Sequence, residues 1–171
     1  FLIARLIKMP ATFIVIGGVS GCGKSTIGSA LAEKLQVEYI DGDKFHSKNN
    51  IEKMSNGIPL NDDDRSEWLQ ILAGFADDHQ TKIVGCSALK RIYRTILSSK
   101  SKSCKIFLLI LPESILQERI TQRQGHFMKS NLLKSQLETL ELPYPDENSV
   151  FIIDGNRPVD VIVNDMITFL N

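Results

Sequence analysis

The sequence carries no surplus of charge of either sign and no long apolar run. Lys and Arg together number 20, as do Asp and Glu, so the formal net charge is zero. A dedicated nucleic-acid binder needs surplus cations to neutralise phosphates, so this balance argues against that class. No apolar stretch approaches the roughly 20 residues that a bilayer-spanning helix requires. We therefore expect no nucleic-acid partner and no membrane partner.

Cysteine is also scarce. Cys22, Cys86 and Cys104 are odd in number and form no C-x-x-C pair, so a disulfide framework is not expected and a reducing, cytoplasmic setting fits better. The chain lacks internal repeats and linkers, and 171 residues suit one domain with a proper core. We place this domain at residues 9–171. The apolar residues 1–8 lack a signal-peptide cleavage site, and we interpret them as an upstream extension or a cloning remnant.

Short β-rich runs alternate with longer stretches of helical periodicity. The runs from Phe13 to Ile16 and from Ile106 to Ile110 are wholly apolar, as strands buried on both faces are. This alternation predicts βαβ units and an α/β fold with a parallel sheet, whose ligands bind beyond the carboxyl ends of the strands. The predicted strands are residues 12–16, 37–40, 82–86, 105–110 and 150–153, and the predicted helices are residues 25–35, 66–75, 115–123 and 159–170.

A complete G-x-x-x-x-G-K-[ST] motif runs from Gly18 to Ser25, between a predicted strand and a predicted helix. Its glycines let backbone N–H groups point at phosphate oxygens, the helix start adds its positive end, and Lys24 adds a full charge. The Ser25 hydroxyl is placed to ligate Mg²⁺. A glycine-rich turn that holds Lys and Ser by chance is the alternative. The candidate contacts to ATP are Gly18, Ser20, Gly21, Cys22, Gly23, Lys24, Ser25 and Thr26, and Lys24 is also a catalytic candidate.

Two aspartates, Asp41 and Asp43, follow the second predicted strand. Because they lie two residues apart, their side chains point to one side if the chain is extended. One carboxylate can hold the water shell of Mg²⁺, and the other can accept a proton from an attacking hydroxyl. A solvated Asp-Gly turn is the alternative. The candidates for contacting an anionic substrate are His46, Lys53 and Arg65, with surface salt bridges as the simpler account.

Longer stretches extend these motifs along most of the chain: GVSGCGKST, DGDKFH, NIEKM, GIPLNDDDR, CSALKRIYR and RQGHFMKSNLLKSQLETLELP. In residues and order they resemble the gluconokinase family of P-loop small-molecule kinases. The resemblance implies the fold of shikimate kinase, a three-layer αβα sandwich around a five-stranded parallel sheet of order 2-3-1-4-5, with a helical lid at about 124–147. It also implies a homodimer that phosphorylates D-gluconate with ATP to 6-phospho-D-gluconate, feeding sugar-acid catabolism and the pentose phosphate pathway.

The resemblance further implies roles for single residues. Asp41 would serve Mg²⁺ through water, and Asp43 would act as the base on the acceptor hydroxyl. Arg119 would stack near the adenine, while Arg123 would reach the phosphates as a catalytic group. Residues 156–158 would form part of the adenine edge. The resemblance implies substrate contacts for Asp43, Lys90, Arg94 and, in the lid, His126, in addition to the candidates His46, Lys53 and Arg65 given above.

Two other functions remain open at the level of the sequence. A related P-loop kinase could phosphorylate another small acceptor, such as shikimate or a nucleoside monophosphate. A regulatory protein could bind the nucleotide without catalysis, although such a protein has no use for an acceptor base.

Overall fold

The computed structural model describes residues 10–123 and 130–171. Within these ranges the strands are β1 (Phe13–Gly17), β2 (Tyr39–Asp41), β3 (Lys82–Gly85), β4 (Cys104–Ile110) and β5 (Val150–Asp154). They form one parallel sheet in the order β2-β3-β1-β4-β5. The predicted α/β fold and strand order are therefore confirmed, and each strand begins and ends within two residues of its predicted bounds.

The central strand β1 shows why the chain forms a layered sheet. Its residues from Phe13 to Ile16 are at most 1% exposed. Because successive strand side chains point to opposite faces, helices must cover both faces of the sheet. In the register, Val15 lies opposite Val84 of β3 and Ile106 of β4. A continuous β-branched and aromatic run is the sequence signature of such a doubly covered strand.

Seven helices surround the sheet in the described part of the chain. They are α1 (Lys24–Leu35), α2 (Lys48–Ser55), α3 (Asp62–Ala73), α4 (Arg91–Ser98), α5 (Glu113–Gln122), α6 (Ser130–Thr139) and α7 (Val159–Leu170). Helix α1 packs against α7, and α3 packs against α4. None of these helices has the length and the apolar character that crossing a membrane demands.

Helices α2 and α4 were not among the predicted helices, whereas α6 lies in the segment at about 124–147 for which the resemblance implied a helical lid. Helices α2 and α4 have eight residues each, which is too short for periodicity to separate them from turns. Local capping starts some helices where periodicity is weak: the Asn50 amide donates to Ser47 Oγ at the start of α2. At the start of α3, Asn61 and Asp64 exchange side-chain to backbone hydrogen bonds in a capping box, which satisfies amides that the helix leaves unpaired.

Candidate active site

The glycine-rich loop joins β1 to α1. Gly18, Gly21 and Gly23 have φ angles of 133°, 81° and 101°, and side chains larger than hydrogen strain the backbone in this region. Gly23 is the N-cap of α1, and no side chain caps the helix there. The first amides of α1 are therefore presented to the loop's concave side, where a helix start favours an anion.

Two residues of the motif shape this loop from within. The Gly18 amide donates to the Ser87 carbonyl at 3.0 Å, so it is already paired, and the contact of Gly18 with the nucleotide stays a prediction. The Cys22 side chain is 1% exposed, and its amide donates to the Val19 carbonyl at 3.3 Å. Both residues hold the shape of the loop, and other amides remain to face phosphates.

A cleft of about 620 Å³, counted with its open mouth, lies at the carboxyl edge of the sheet. It brings together half of the residues that the sequence indicated. Those residues are Ser20, Gly21, Gly23, Lys24, Ser25, Asp43, His46, Arg65 and Arg123. The sequence did not indicate the other residues of the lining, which are Met54, Leu60, Trp68, Ser87 and Gln136.

Lys24 is folded back over its own loop. Its ammonium donates to the carbonyl oxygens of Gly18 and Val19, at 3.0 and 3.1 Å. These are neutral acceptors, whereas a polyphosphate offers charged oxygens that form stronger hydrogen bonds with an ammonium. The lysine is thus held at the cleft and within reach of a stronger partner.

The two aspartates do not continue an extended strand, which corrects that prediction. Strand β2 ends at Asp41, and the chain turns at once into a 3-10 turn, Gly42–Phe45. Asp41 caps this turn, because its Oδ1 accepts a hydrogen bond from the Asp43 amide at 3.1 Å. The turn directs Asp43 into the cleft, while Asp41 lies outside the cleft lining.

Packing against Trp68 fixes this turn. The Trp68 indole donates to the Gly42 carbonyl at 2.8 Å, and the indole is buried. Gly42 has no room for a side chain, since a Cβ there would lie 2.2 Å from the Gly85 carbonyl oxygen. The position of Asp43 is therefore set by contacts on both sides of the turn.

His46 stacks on the Trp68 ring with centroids 4.0 Å apart and an angle of 19° between the planes. Burial, and to a smaller extent the positive charge of Arg65, lowers the pKa of His46 to about 4, although Asp43 acts in the opposite direction. At neutral pH the ring is therefore uncharged. It can offer a hydrogen bond to a substrate hydroxyl but not a charge.

Arg65 supplies the positive charge at this end of the cleft. It is 8% exposed, and its Nη1 donates to the Leu60 carbonyl at 2.5 Å and to the Tyr93 hydroxyl at 3.2 Å. Its guanidinium makes no other hydrogen bond to residues 10–123 or 130–171. The remaining N–H groups can therefore bind a carboxylate in the cleft.

A second pocket, of about 800 Å³ with its open mouth, lies on the other side of the glycine-rich loop. Thr26, Arg119 and Arg157 line it, and the Arg119 guanidinium donates to the Gly21 carbonyl at 3.4 Å. Gly21, Gly23 and Arg123 line both this pocket and the cleft. The loop thus joins two compartments. The cleft contains the acidic and basic residues that are candidates for binding the acceptor, and the second pocket contains Arg119 and Arg157.

The chain matches a family model described as shikimate kinase over residues 20–171. The thermoresistant gluconokinase of Escherichia coli (strain K12) is 41% identical to it over 153 residues, which are 87% of each protein. This chain belongs to the gluconokinase family. A solved gluconokinase from Sinorhizobium meliloti 1021 is 43% identical, with a TM-score of 0.84 over 95% of this chain and 92% of that one. An unliganded sugar kinase from Janibacter sp. HTCC2649 is 40% identical, with a TM-score of 0.88 over 94% and 95% of the two chains.

Three basic residues that were predicted to contact the substrate do not line the cleft. Lys53 pairs with Asp64 at 2.6 Å, and Lys90 pairs with Asp62 at 2.9 Å. These bonds hold the pKa of each carboxyl below its usual range, with the Tyr93 hydroxyl the larger cause at Asp62. Neither lysine lines the cleft. Each is held by an acidic residue of α3, and its contact with the substrate stays a prediction.

Arg94 is the most completely paired of the three. It is 2% exposed and makes a two-pronged ion pair with Glu147, at 2.7 and 2.9 Å. Its remaining nitrogen, Nη1, donates to the carbonyls of Ala88, Leu89 and Glu141. Every nitrogen of the guanidinium is thus used inside the protein. His126, by contrast, lies outside the described residues.

Tyr39 is a site residue that the sequence analysis missed. Its hydroxyl donates to Ser25 Oγ at 3.5 Å. Its ring lies in a slot between two glycines, because a Cβ on Gly28 or Gly85 would lie 2.2 or 2.1 Å from its atoms. Burial raises the pKa of Tyr39 to about 12, and the charges of Asp41 and Asp43 add to this effect. The tyrosine therefore stays protonated behind the loop.

The other residues that were missed differ in the signal that they offered. Ser87 follows β3, so the rule that ligands bind beyond strand ends could have indicated it. Gln136 belongs to the stretch SQLETLE, which marked the gluconokinase family without a role for any residue in it. Met54 and Leu60 belong to the stretches NIEKM and GIPLNDDDR, which also marked the family without a role for these two residues. Trp68 is an apolar residue that local sequence does not distinguish from ordinary core.

Proposed function

We propose that this protein transfers the γ-phosphate of ATP to the 6-hydroxyl of D-gluconate. The observation that carries the proposal is that Asp43 lines the same cleft as Lys24 and Ser25 of the phosphate loop. The acceptor is inferred from the gluconokinases that this chain resembles over most of its length. We also propose that residues 9–171 form one kinase domain with a lid at about 124–147.

The nucleotide would lie along the glycine-rich loop, with its phosphates over the start of α1. The second pocket, lined by Arg119 and Arg157, suits the adenine, since guanidinium planes stack on aromatic rings. Arg123 lines both compartments, which suits a contact with the phosphates between them. Lys24 would exchange the carbonyls of Gly18 and Val19 for charged phosphate oxygens.

The residues present fit a magnesium ion bound with the nucleotide. The Tyr39 hydroxyl contacts Ser25 Oγ, and the charges of Asp41 and Asp43 help to raise its pKa. The hydroxyl of Ser25 and the carboxylates of the two aspartates are oxygen donors of the type that Mg²⁺ prefers. Residues 10–123 and 130–171 hold no group of three or more His, Cys, Asp or Glu side chains that could bind a metal alone. Such a site suits Mg²⁺ held through Ser25, through water on Asp41, and through phosphates. The ion would neutralise charge on the β- and γ-phosphates.

The acceptor would lie between Asp43 and Arg65. Phosphoryl transfer depends mostly on positioning and on stabilising charge, so Asp43 needs only to orient the hydroxyl and accept its proton as the bond to phosphorus forms. Arg65 would bind the carboxylate at the other end of the sugar acid. The uncharged His46 would offer a hydrogen bond to a hydroxyl between them.

An ADP-release assay over D-gluconate, shikimate and nucleoside monophosphates tests the acceptor. We expect ADP release to depend on D-gluconate, with NMR showing phosphate on O6. ATP binding without release on any acceptor would instead indicate a regulatory protein. Turnover on another acceptor alone would refute the choice of gluconate. Sedimentation analysis tests the homodimer that the resemblance implies.

Asp43→Asn tests the proposed base. We expect it to fold normally and to lose about 10²–10⁴-fold in kcat, because the hydroxyl is no longer oriented or deprotonated. Asp63→Asn, an exposed aspartate in the first turn of α3, is the matched control and should keep its turnover. A near wild-type rate for Asp43→Asn would refute the assignment of Asp43 as the base. Unaltered ATP binding by Lys24→Ala would refute the proposal that Lys24 and its loop bind the phosphates.

A further inference from the structure

One phosphate-loop amide already has a partner from a distant part of the chain. The Ser20 backbone N–H donates to Oε1 of Gln136 at 2.7 Å, across 116 positions of sequence. Gln136 lies on α6, whose residues Leu132 and Leu133 are at most 3% exposed. Because these leucines anchor the helix, the carboxamide is held in place by packing rather than extended from a mobile surface.

The position of this hydrogen bond indicates which part of a bound nucleotide would lie beside it. Ser20 and Gln136 line the cleft that also contains Asp43, and neither lines the second pocket. Gly21 and Arg123 line both compartments. The Ser20 amide therefore lies at the acceptor end of the loop, on the side where the terminal phosphate faces the attacking hydroxyl.

The chemistry of the contact matches that of a phosphate oxygen. A carboxamide oxygen is a neutral acceptor, and here it satisfies an N–H of a residue that is 7% exposed, which would be costly to leave unpaired. We propose that Gln136 stands in for a γ-phosphate oxygen on the loop when no γ-phosphate is bound, and that ATP, but not ADP, displaces it. This inference rests on the proposed kinase function and adds a residue that distinguishes the two nucleotides.

Competition for the Ser20 amide affects each step of turnover. ATP must break the bond between Ser20 and Gln136, so part of its binding free energy is spent on releasing the contact. ADP leaves the contact in place. After transfer, the bond re-forms as the phosphorylated product leaves, which links the position of α6 to whether a γ-phosphate is present.

Calorimetric titration with ADP and with a non-hydrolysable ATP analogue, each with Mg²⁺ and without acceptor, tests the inference. Gln136→Ala should bind the ATP analogue roughly two- to tenfold more tightly, the net worth of one hydrogen bond, and bind ADP as wild type does. Gln136→Glu keeps the shape and the acceptor but adds a like charge, so it should weaken the analogue about tenfold or more relative to ADP. Asn131→Ala is the control, because Asn131 is on the same helix but donates to Gly57.

Two results would overturn the inference. Weaker binding of the analogue by Gln136→Ala would mean that Gln136 contacts the γ-phosphate directly, and an unchanged ratio of the two affinities would mean that the contact does not compete with phosphate. If Gln136→Ala fails to fold, the near-isosteric Gln136→Glu decides the matter. If the wild-type protein phosphorylates D-gluconate but Gln136→Ala leaves the ratio of the affinities for the ATP analogue and ADP unchanged, only this inference is refuted. If the wild-type protein does not phosphorylate D-gluconate, the proposed function is refuted.

Discussion

Replacing Arg94 separates a structural role from the substrate-binding role that family resemblance implied. Its side chain is 1% exposed and that of Glu147 is 10% exposed. Removing one partner of a buried ion pair costs about 3–5 kcal/mol, because the other charge is left unpaired. In Arg94→Ala, three carbonyls of two loops also lose a hydrogen bond, although the Leu89 carbonyl keeps one from the Glu141 amide. We therefore expect the free energy of unfolding to fall by about 3–5 kcal/mol.

This loss is large for a domain of this size. A domain of about 170 residues loses roughly 2–4 °C in Tm per kcal/mol, so Arg94→Ala should melt roughly 6–20 °C lower than wild type. Arg94→Lys should lie between the two, since it keeps a charge but not the two-pronged geometry. The stability that this pair provides should also depend on pH. The hydrogen bonds from Arg94 hold the pKa of Glu147 below the usual glutamate value. The stabilisation is therefore complete above the usual pKa and is lost as the pH falls through the lowered pKa of the folded protein.

The neighbouring Arg91 provides a matched control. It pairs with Asp146 at 2.6 Å, but the two side chains are 44% and 65% exposed, so Arg91→Ala should cost about 1 kcal/mol or less. Urea unfolding gives both free energies, and steady-state kinetics well below the Tm gives KM for gluconate. We expect KM to stay within about twofold of wild type in Arg94→Ala. An unchanged Tm with a strongly raised KM would refute the structural role and restore the substrate role.

Two further predictions concern the surroundings of the loop and the cleft. In a helix, replacing glycine by alanine normally stabilises by about 1 kcal/mol. Gly28→Ala should instead lower both the Tm and the affinity for ATP, because the added Cβ would lie 2.2 Å from the Tyr39 ring. Thermal melts and calorimetry measure the two losses, and losses that persist in a Tyr39→Ala background would contradict this explanation. The pKa of His46 is lowered to about 4 from the 6.5 of a free histidine, so its contribution to stability is complete above pH 6.5 and is lost as the pH falls toward 4, on the order of 2 kcal/mol. Urea unfolding at pH 7 and pH 5 should show a smaller pH dependence for His46→Gln than for wild type, and equal dependence would refute the assignment.

Local patterns were sufficient to predict the scaffold and the phosphate loop. The apolar run of β1 can be buried on both faces only inside a covered sheet, and the glycines of the loop are the residues that accept its positive φ angles. Both signals lie within contiguous residues, so no knowledge of distant contacts is required. The same is true of Asp43, whose place just after β2 brings it to the sheet edge where the loop lies.

The basic residues show where such reasoning fails. Lys53, Lys90 and Arg94 have the charge that an anionic substrate needs, but their partners Asp64, Asp62 and Glu147 lie 11, 28 and 53 positions away. The sequence alone does not show which acidic residue a given lysine or arginine will pair with. The helices and loops that pair these residues decide that they stabilise the protein, while Arg65 keeps N–H groups for the cleft.

The amino-acid sequence by itself determined the layered α/β architecture, the phosphate-binding loop and the aspartate that lines the cleft, because each depends on periodicity or on side chains that are close along the chain. The tertiary structure alone decided which cations reach the cleft, that a turn rather than an extended strand aims Asp43, and that Gln136 meets the loop. These contacts join residues tens of positions apart, and only the packing of the helices on the sheet brings them within hydrogen-bonding distance.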